Sequence, residues 1–511
     1  MAGASRNGAV AGGGIVARLL PFLPLVALYY TLLMLIGAGI ATGKPSLLAP
    51  VDNGLAFNSM LEHLLRGEFD VDPAAITFEG FARDGKTYAY FGVFVALLRL
   101  PLTVFGALGT TDVTVLSSLL AAIILAASQL AAIVVVYSVV PPSGLRRLLG
   151  GALIVVTLLA GPEIAFLKPS IYQEVVLWAN ACAAVFVLGA VYGVFVRGGS
   201  STGLLTAMAV LAGICLHIRV STAMGLYAAT GLLVVRTAWL ERRDSRRPWR
   251  GVWPRLLLPL TVLAVFAAAC GVVNYARWGN PLTFADINRL IGYQTLFPER
   301  LAVWAQHGAF NPARIGYGLM YYFFPAWALR GADGGFLFEN FQRRFLESVE
   351  LPPASLLLSD PLLIGLATAG IVLAWRRRRR SGVDIAAIGL VSGGLALPAL
   401  LMLMAISMTF RYRGEFYPVL EFLACAGFFL ACTAPPAAAA RPSAMIRTLA
   451  LAGSVVSVVG SHLSLALYDL SPFGSVRDNV PDRAMVDYYK GRLAVFSGRP
   501  GDAPPAATRR H

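Results

Sequence analysis

Long apolar runs alternate with short polar or arginine-bearing breaks along the chain, and that spacing predicts helices that cross a membrane. A helix needs about 20 apolar residues to cover about 30 Å of hydrocarbon. Such runs fall at about 19–41, 113–139, 147–167, 175–196, 203–219, 221–240, 256–275, 359–375, 384–409, 416–433 and 445–468, eleven crossings. A further apolar piece, Phe91 to Phe105, is short and is interrupted by Arg99 and Pro101. The expected fold class is all-α: a polytopic integral membrane protein of about 11 transmembrane helices (11–13) with two large loops on one side. No period of 20 to 50 residues recurs, which disfavours an inverted-repeat transporter.

One stretch breaks the apolar pattern early. In Val51 to Pro73, "VDNGLAFNSMLEHLLRGEFDVDP", the residues Phe57, Met60, Leu61, Leu64 and Leu65 recur at helical spacing and Gly67 follows as a stop. The pattern predicts an amphipathic helix lying along the membrane surface, with Asp52 or Asn53 where an N-cap belongs. The acids Glu62, Glu68, Asp70 and Asp72 read as solvated helix and turn charges.

Composition agrees with the pattern: 57% hydrophobic and 14% charged residues, with a mean hydropathy of +0.69, are too apolar for a water-soluble chain of 511 residues. A formal net charge of +15 would suggest nucleic acid in a soluble protein. Here the arginines cluster between apolar runs, as cytoplasmic flanking charge does, and no nucleic-acid partner is expected. Placing Arg146 and Arg147, Glu241 to Arg255 and Arg376 to Arg380 inside, together with the N-terminus, requires that Phe91 to Phe105 not cross.

The expected organisation is then a cytoplasmic disordered N-terminus at 1–18 and a first transmembrane module at 19–275 containing an exterior loop at 42–112. A second exterior loop at 276–358, later helices at 359–468 and an exterior tail at 469–511 complete it. The expected setting is a plasma membrane, with membrane lipids as neighbours. Cys182, Cys215, Cys270, Cys425 and Cys432 all lie in apolar runs without paired spacing and read as core residues.

Ionisable residues near exterior helix ends are the candidates for chemistry, because polar groups at that depth are costly. They are Lys86, Tyr88 and Tyr90 after the Asp84–Gly85 turn; Lys168, Tyr172 and Glu174; His217 and Arg219; and Arg411, Arg413 and Glu415. For any one of them, mutual ion pairing is the slightly stronger explanation. Together with Asp52 they suggest one exterior cavity of mixed charge, suited to an anionic lipid-linked substrate. The five histidines show no metal-ligand spacing. First-loop carboxylates are compatible with a divalent cation, though no spacing requires one. The "GYGLMYYFFPAW" stretch, Gly316 to Trp327, reads as an interfacial aromatic belt.

One helix, an acid opening the first exterior loop, "LEHLLRGEFDVDP", then "DGKTYAYFGVFVALLRLPL", six further helices and a second large loop opening on "NYARWGNPLTF" make a layout that resembles the GT-C class of glycosyltransferases. It is most similar to bacterial members related to the protein O-mannosyltransferases and lipid A aminoarabinose transferases. It departs from them at Asn53, where a second acid is frequent, and at Gly92 and Val93, where a Pro-Leu pair is common.

The resemblance implies sugar transfer from a polyprenyl-phosphate donor to a lipid, glycan or protein acceptor on the exterior face. It implies Asp52 as general base, and Lys86, Arg219, Arg411 and Arg413 as ligands of the donor phosphate. Asn53, Tyr88, Tyr90, Tyr172, Glu174 and His217 would line the substrate site. No cofactor is required beyond the divalent cation already considered. A lipid-linked-glycan flippase and a non-catalytic membrane assembly partner are the alternatives from other classes.

Overall fold

A computed structural model describes residues 21–161, 164, 166–245, 249–324, 338–350, 354–377, 384–433 and 442–470. The expected N-terminal segment 1–18, nearly all of the tail 469–511, Arg378 to Arg380 and Pro325 to Trp327 lie outside the described residues.

Each of the eleven apolar runs is a helix. In chain order the helices are α1 (Leu23–Thr42), the first-loop helix α2 (Ala56–Leu65), α3 (Thr114–Val139), α4 (Gly144–Leu159), α5 (Ile171–Val191), α6 (Thr202–Leu216), α7 (Val220–Ser245) and α8 (Trp249–Trp278). The second loop carries α9 (Glu299–His307) and α10 (Ile315–Phe323), and the chain continues through α11 (Pro361–Arg377), α12 (Ile385–Met404), α13 (Tyr417–Cys432) and α14 (Ala444–Leu470). Among the described residues eight helices are long and apolar enough to cross a membrane. Helices α4, α6 and α11 are shorter, at 16, 15 and 17 residues. Phe94–Val104 forms only two short helical turns, well below the length needed to cross.

Local chemistry sets the helix ends. Gly43, with φ +73°, closes α1 by donating to the Gly39 carbonyl. Ser143, Ser170 and Asp384 accept from first-turn amides of α4, α5 and α12. Helices α11 and α13 cross at Gly370 and Gly427. A Cβ at Gly427 would sit 2.1 Å from the Leu366 carbonyl oxygen, so the two backbones approach as only glycine permits.

Helix α2 differs from its expected surface setting: Phe57, Met60 and Leu61 are fully buried, and Asn58, Ser59 and His63 are buried with them. The apolar periodicity identified the helix, but protein rather than lipid covers it. Its N-cap is Leu55, and no side chain caps it, so neither Asp52 nor Asn53 serves that role. Tyr317, Tyr321 and Tyr322 of α10 are also core residues, not an interfacial belt.

The first and second loops join beyond one end of the helices. A hairpin of β1 (Phe81–Arg83) and β2 (Lys86–Tyr88) pairs antiparallel, and Phe81 bridges to Leu290 of the second loop. Phe81, Tyr88, Leu290 and Tyr293 form a small core with Trp278 and Trp304 against it. Further on, β3 (Ser348–Val349) lies parallel to β4 (Ser407–Met408). Arg314, fully buried, donates to the carbonyls of Phe345, Ala309, Gly308 and Met404 and ties the second loop to the end of α12.

Candidate functional site

Beneath the joined loops lies a chamber of about 620 Å³ whose walls include Asp52, Glu79, Tyr90, Tyr172, Arg411 and Tyr412 together with Tyr293, Arg300, Trp304 and Glu347. Asp52 stands on a tightly braced turn. Asp112 accepts from the amides of Val51 and Thr114, both at 2.8 Å, and Gly54 packs so closely on that carboxylate that a Cβ there would lie 1.8 Å from Oδ2. Asn53 takes φ +58°, and its Oδ1 accepts from the Thr77 hydroxyl at 3.0 Å. The braced backbone leaves the Asp52 carboxylate exposed and, among the described residues, without a hydrogen-bond donor.

Arg411 enters from the turn Phe410–Glu415. Its guanidinium lies 4.2 Å from the Tyr172 ring centroid and 5.7 Å from that of Tyr412. Among the described residues no carboxylate lies within ion-pair distance of it. Tyr90, Tyr172, Phe310, Met402, Arg411 and Tyr412 also border a second chamber of about 580 Å³, whose other walls include Val93, Val175, Leu216, Met224 and Leu401. Arg411 therefore sits where an acidic chamber meets one whose apolar walls also carry Arg219, Arg277 and His217. Tyr90 is 38% exposed, and its phenol carries an O–H that can donate to a ligand in either chamber. Tyr293 is raised by burial and by Glu347.

Arg219 and His217 reach the second chamber. Arg219 donates through Nε to Glu415 at 2.5 Å, and Glu415 also accepts from Ser221 at 2.5 Å and Thr222 at 2.7 Å. The His217 ring lies with Nε2 3.2 Å from the Phe266 carbonyl, and burial pushes its imidazole down. The His217 carbonyl accepts from Phe94 N–H at 2.9 Å, and a Cβ at Gly92 would meet that same carbonyl at 2.0 Å. Gly92, the departure from the Pro-Leu pattern, lets the first loop dock on the α6–α7 turn.

The structure thus gathers Asp52, Asn53, Tyr90, Tyr172, Arg219, His217 and Arg411 around the two chambers, and leaves four expected residues away from them. Arg413 is buried in α13's approach and donates to Asp360 at 2.9 Å, to Ala354 at 3.1 Å and to the Tyr417 hydroxyl at 3.0 Å. Glu174 forms a bidentate pair with Arg99, at 2.5 and 2.8 Å, with both side chains fully buried. Tyr88 packs on Trp278. Lys86 points to Asp70 at 3.1 Å and Glu68 at 3.6 Å. Burial pushes the Asp70 carboxyl up, but Lys86, backbone hydrogen bonding and His63 outweigh it and hold the group below its ordinary value. Asp70 is buried, so it is no solvated turn charge.

Sequence reasoning missed Glu79, Glu347, Tyr293, Arg300 and Trp304. Glu347 is buried and accepts from the Trp304 indole and the Ser407 hydroxyl. It lies in an aperiodic loop with nothing beside it in sequence to mark it. Glu79 was visible only as one acid in "FEGFARDG".

A bundle of apolar helices, hooded by two joined loops over an acid- and arginine-lined chamber, defines a polytopic helical membrane protein with a chamber at one end of its bundle. No protein-family model matches the chain, and no curated protein matches its sequence. Among solved structures the chain is similar to ArnT from Cupriavidus metallidurans bound to undecaprenyl phosphate, at 14% identity and TM-score 0.40, over 96% of this chain and 72% of that one. It is also similar to the archaeal oligosaccharyltransferase AglB from Archaeoglobus fulgidus in complex with an inhibitory peptide and a dolichol-phosphate, at 14% identity and TM-score 0.45, over 97% of this chain and 61% of that one. A third, the Archaeoglobus fulgidus oligosaccharyltransferase tethered with an acceptor peptide, shows 12% identity and TM-score 0.42 over 92% and 59% of the two chains.

Proposed function

We propose that the protein is a membrane glycosyltransferase that moves a sugar from a polyprenyl-phosphate donor to a hydroxyl or amine acceptor at the exterior face. The observation that carries this reading is the placement of Asp52 and Arg411 on one chamber, with Arg411 at the junction to a second, apolar-walled one. An isoprenoid phosphate needs an apolar channel for its tail and a cation where the tail ends, and an incoming acceptor needs a base on the opposite side.

The acceptor would bind in the acidic chamber beside Asp52, with Tyr293 and Trp304 offering flat faces to a sugar or peptide. Asp52 takes the acceptor proton as the acceptor oxygen or nitrogen bonds to the anomeric carbon. The bond from that carbon to the phosphate oxygen breaks, and its electrons leave with the lipid phosphate. Arg411 opposes the growing negative charge, and the protonated Tyr90 phenol is placed to donate to it. Arg219 is neutralised by Glu415 and lines the second chamber without adding net charge to it. Attack opposite the leaving group inverts the anomeric centre.

Glu174, Arg413 and Tyr88 stabilise the scaffold in this scheme, and Lys86 acts within the first loop. The deciding experiment assays purified wild type and Asp52→Asn with polyprenyl-phosphate sugars in lipid. Transfer by wild type and its loss in the folded variant support the reading. An equally active variant removes Asp52 from the chemistry, and translocation of donor without transfer returns the flippase.

A further inference from the structure

The first loop holds a second cluster of ionisable groups that the chambers do not use. His63, in the last turn of α2, is buried, with Nδ1 3.3 Å from Asp70 Oδ1 and 3.6 Å from Glu68 Oε2. On the other edge of the ring, Nε2 lies 3.4 Å from Asp72 Oδ1. Asp72 is fixed in turn by Ser59, whose hydroxyl donates to Asp72 Oδ2 and accepts from the Asp72 amide, both at 2.8 Å.

A carboxylate oxygen only accepts, so a ring nitrogen that faces one is satisfied by a proton of its own or by a cation shared with it. The His63 Nδ1 is buried and, among the described residues, has no hydrogen-bond partner. It faces Asp70 Oδ1 and Glu68 Oε2, the latter also 3.6 Å from Arg66 Nε, and a cation among the three atoms would give the ring nitrogen the partner it lacks. Lys86 does not fill that place: its ammonium meets Asp70 Oδ2 and Glu68 Oε1, the oxygens turned away from His63. One ligand atom from each of His63, Glu68 and Asp70 lies within 4.8 Å of the others, and modest side-chain adjustment closes that spacing onto metal bonds of about 2.0–2.2 Å.

We infer that His63, Glu68 and Asp70 bind a first-row divalent metal ion of the zinc and manganese class. One imidazole nitrogen with two carboxylate oxygens is a donor set for those ions rather than for a soft, thiolate-seeking one. Asp72 is the positioning residue that orients the imidazole, and Lys86 competes for the same two carboxylates. The bound ion would fasten the end of α2 to the turn at Gly67 and to β2, where the Val71 amide donates to Thr87 at 2.8 Å. Asp52 lies before the other end of the same helix, so the ion would stiffen the element that carries it. The site stands whether or not the chamber transfers sugar.

The test is metal uptake by tag-free, full-length protein in detergent, stripped with chelator and dialysed against zinc or manganese chloride. Wild type should hold one ion per chain. Glu68→Gln, at a half-exposed position that leaves the fold intact, and Asp70→Asn should each weaken binding at least about tenfold, and Asp72→Asn should weaken it by about tenfold. Lys86→Ala should bind more tightly than wild type because the competing ammonium is gone. Cobalt(II) loading should give no thiolate charge-transfer band, keeping the buried cysteines out of the site. Absence of uptake by folded wild type, undiminished uptake in both Glu68→Gln and Asp70→Asn, or a thiolate band would overturn the inference.

Discussion

Arg411 stacks on Tyr172 at 4.2 Å, and these two residues, from the α12–α13 turn and the start of α5, together border both chambers. The ring supports a guanidinium that no described carboxylate contacts, with Glu350 acting on it only at longer range, so its N–H groups remain available to a ligand. Arg411→Ala should then lower sugar transfer by about 10²–10³-fold, the scale of losing one preorganised donor to developing charge. Arg411→Lys should recover only part, because an ammonium neither stacks nor forks as a guanidinium does. Turnover measured against donor concentration checks both variants.

Asp52 depends on a backbone it does not itself hold. Asp52→Asn keeps the shape but cannot take a proton, and transfer should fall by about 10²–10⁴-fold with an unchanged melting temperature. Gly54→Ala tests the brace: its methyl would collide with Asp112, displacing the turn. That variant should lose both activity and thermal stability, which separates positioning from proton transfer.

Much of the architecture was legible because a membrane demands long apolar segments, and all eleven runs are helices. The site was legible in part. Asp52, Tyr90, Tyr172, Arg219 and Arg411 stand out as polar groups beside apolar runs, and all reach a chamber. Arg413 and Glu174 carry the same signal but are consumed by Asp360 and Arg99. A charge that opposes a buried partner far away in sequence looks the same as one that faces a ligand. Glu347 was invisible for the opposite reason: it sits in a loop whose path depends on pairing between β3 and β4, only two residues each.

The Arg99–Glu174 pair permits a direct separation of scaffold from site. Glu174→Leu leaves a fully buried, unpaired guanidinium and should destabilise the protein by about 3–5 kcal/mol. The double variant Arg99→Met with Glu174→Leu removes both charges and should regain most of that loss. Unfolding in denaturant measures the stabilities, and the folded double variant should transfer sugar at close to the wild-type rate. An inactive but stable double variant would place Glu174 back among the substrate contacts.

Glu350 gives the pH dependence a sign. Burial pushes its carboxyl above the ordinary value, opposed by the Phe410 N–H at 2.8 Å and by the charges on Arg411 and Lys168. A carboxyl raised in the folded state holds its proton to higher pH than the unfolded chain does. Its contribution is therefore complete below the unfolded value, about 4.3, and is lost as pH rises through the folded one. Glu350→Gln keeps an oxygen for the Phe410 amide and never ionises. It should melt higher than wild type at pH 7 to 8, with the difference shrinking as the pH approaches about 4. A gap that widened toward acid would mean that the ionised carboxylate, through Arg411, stabilises the fold.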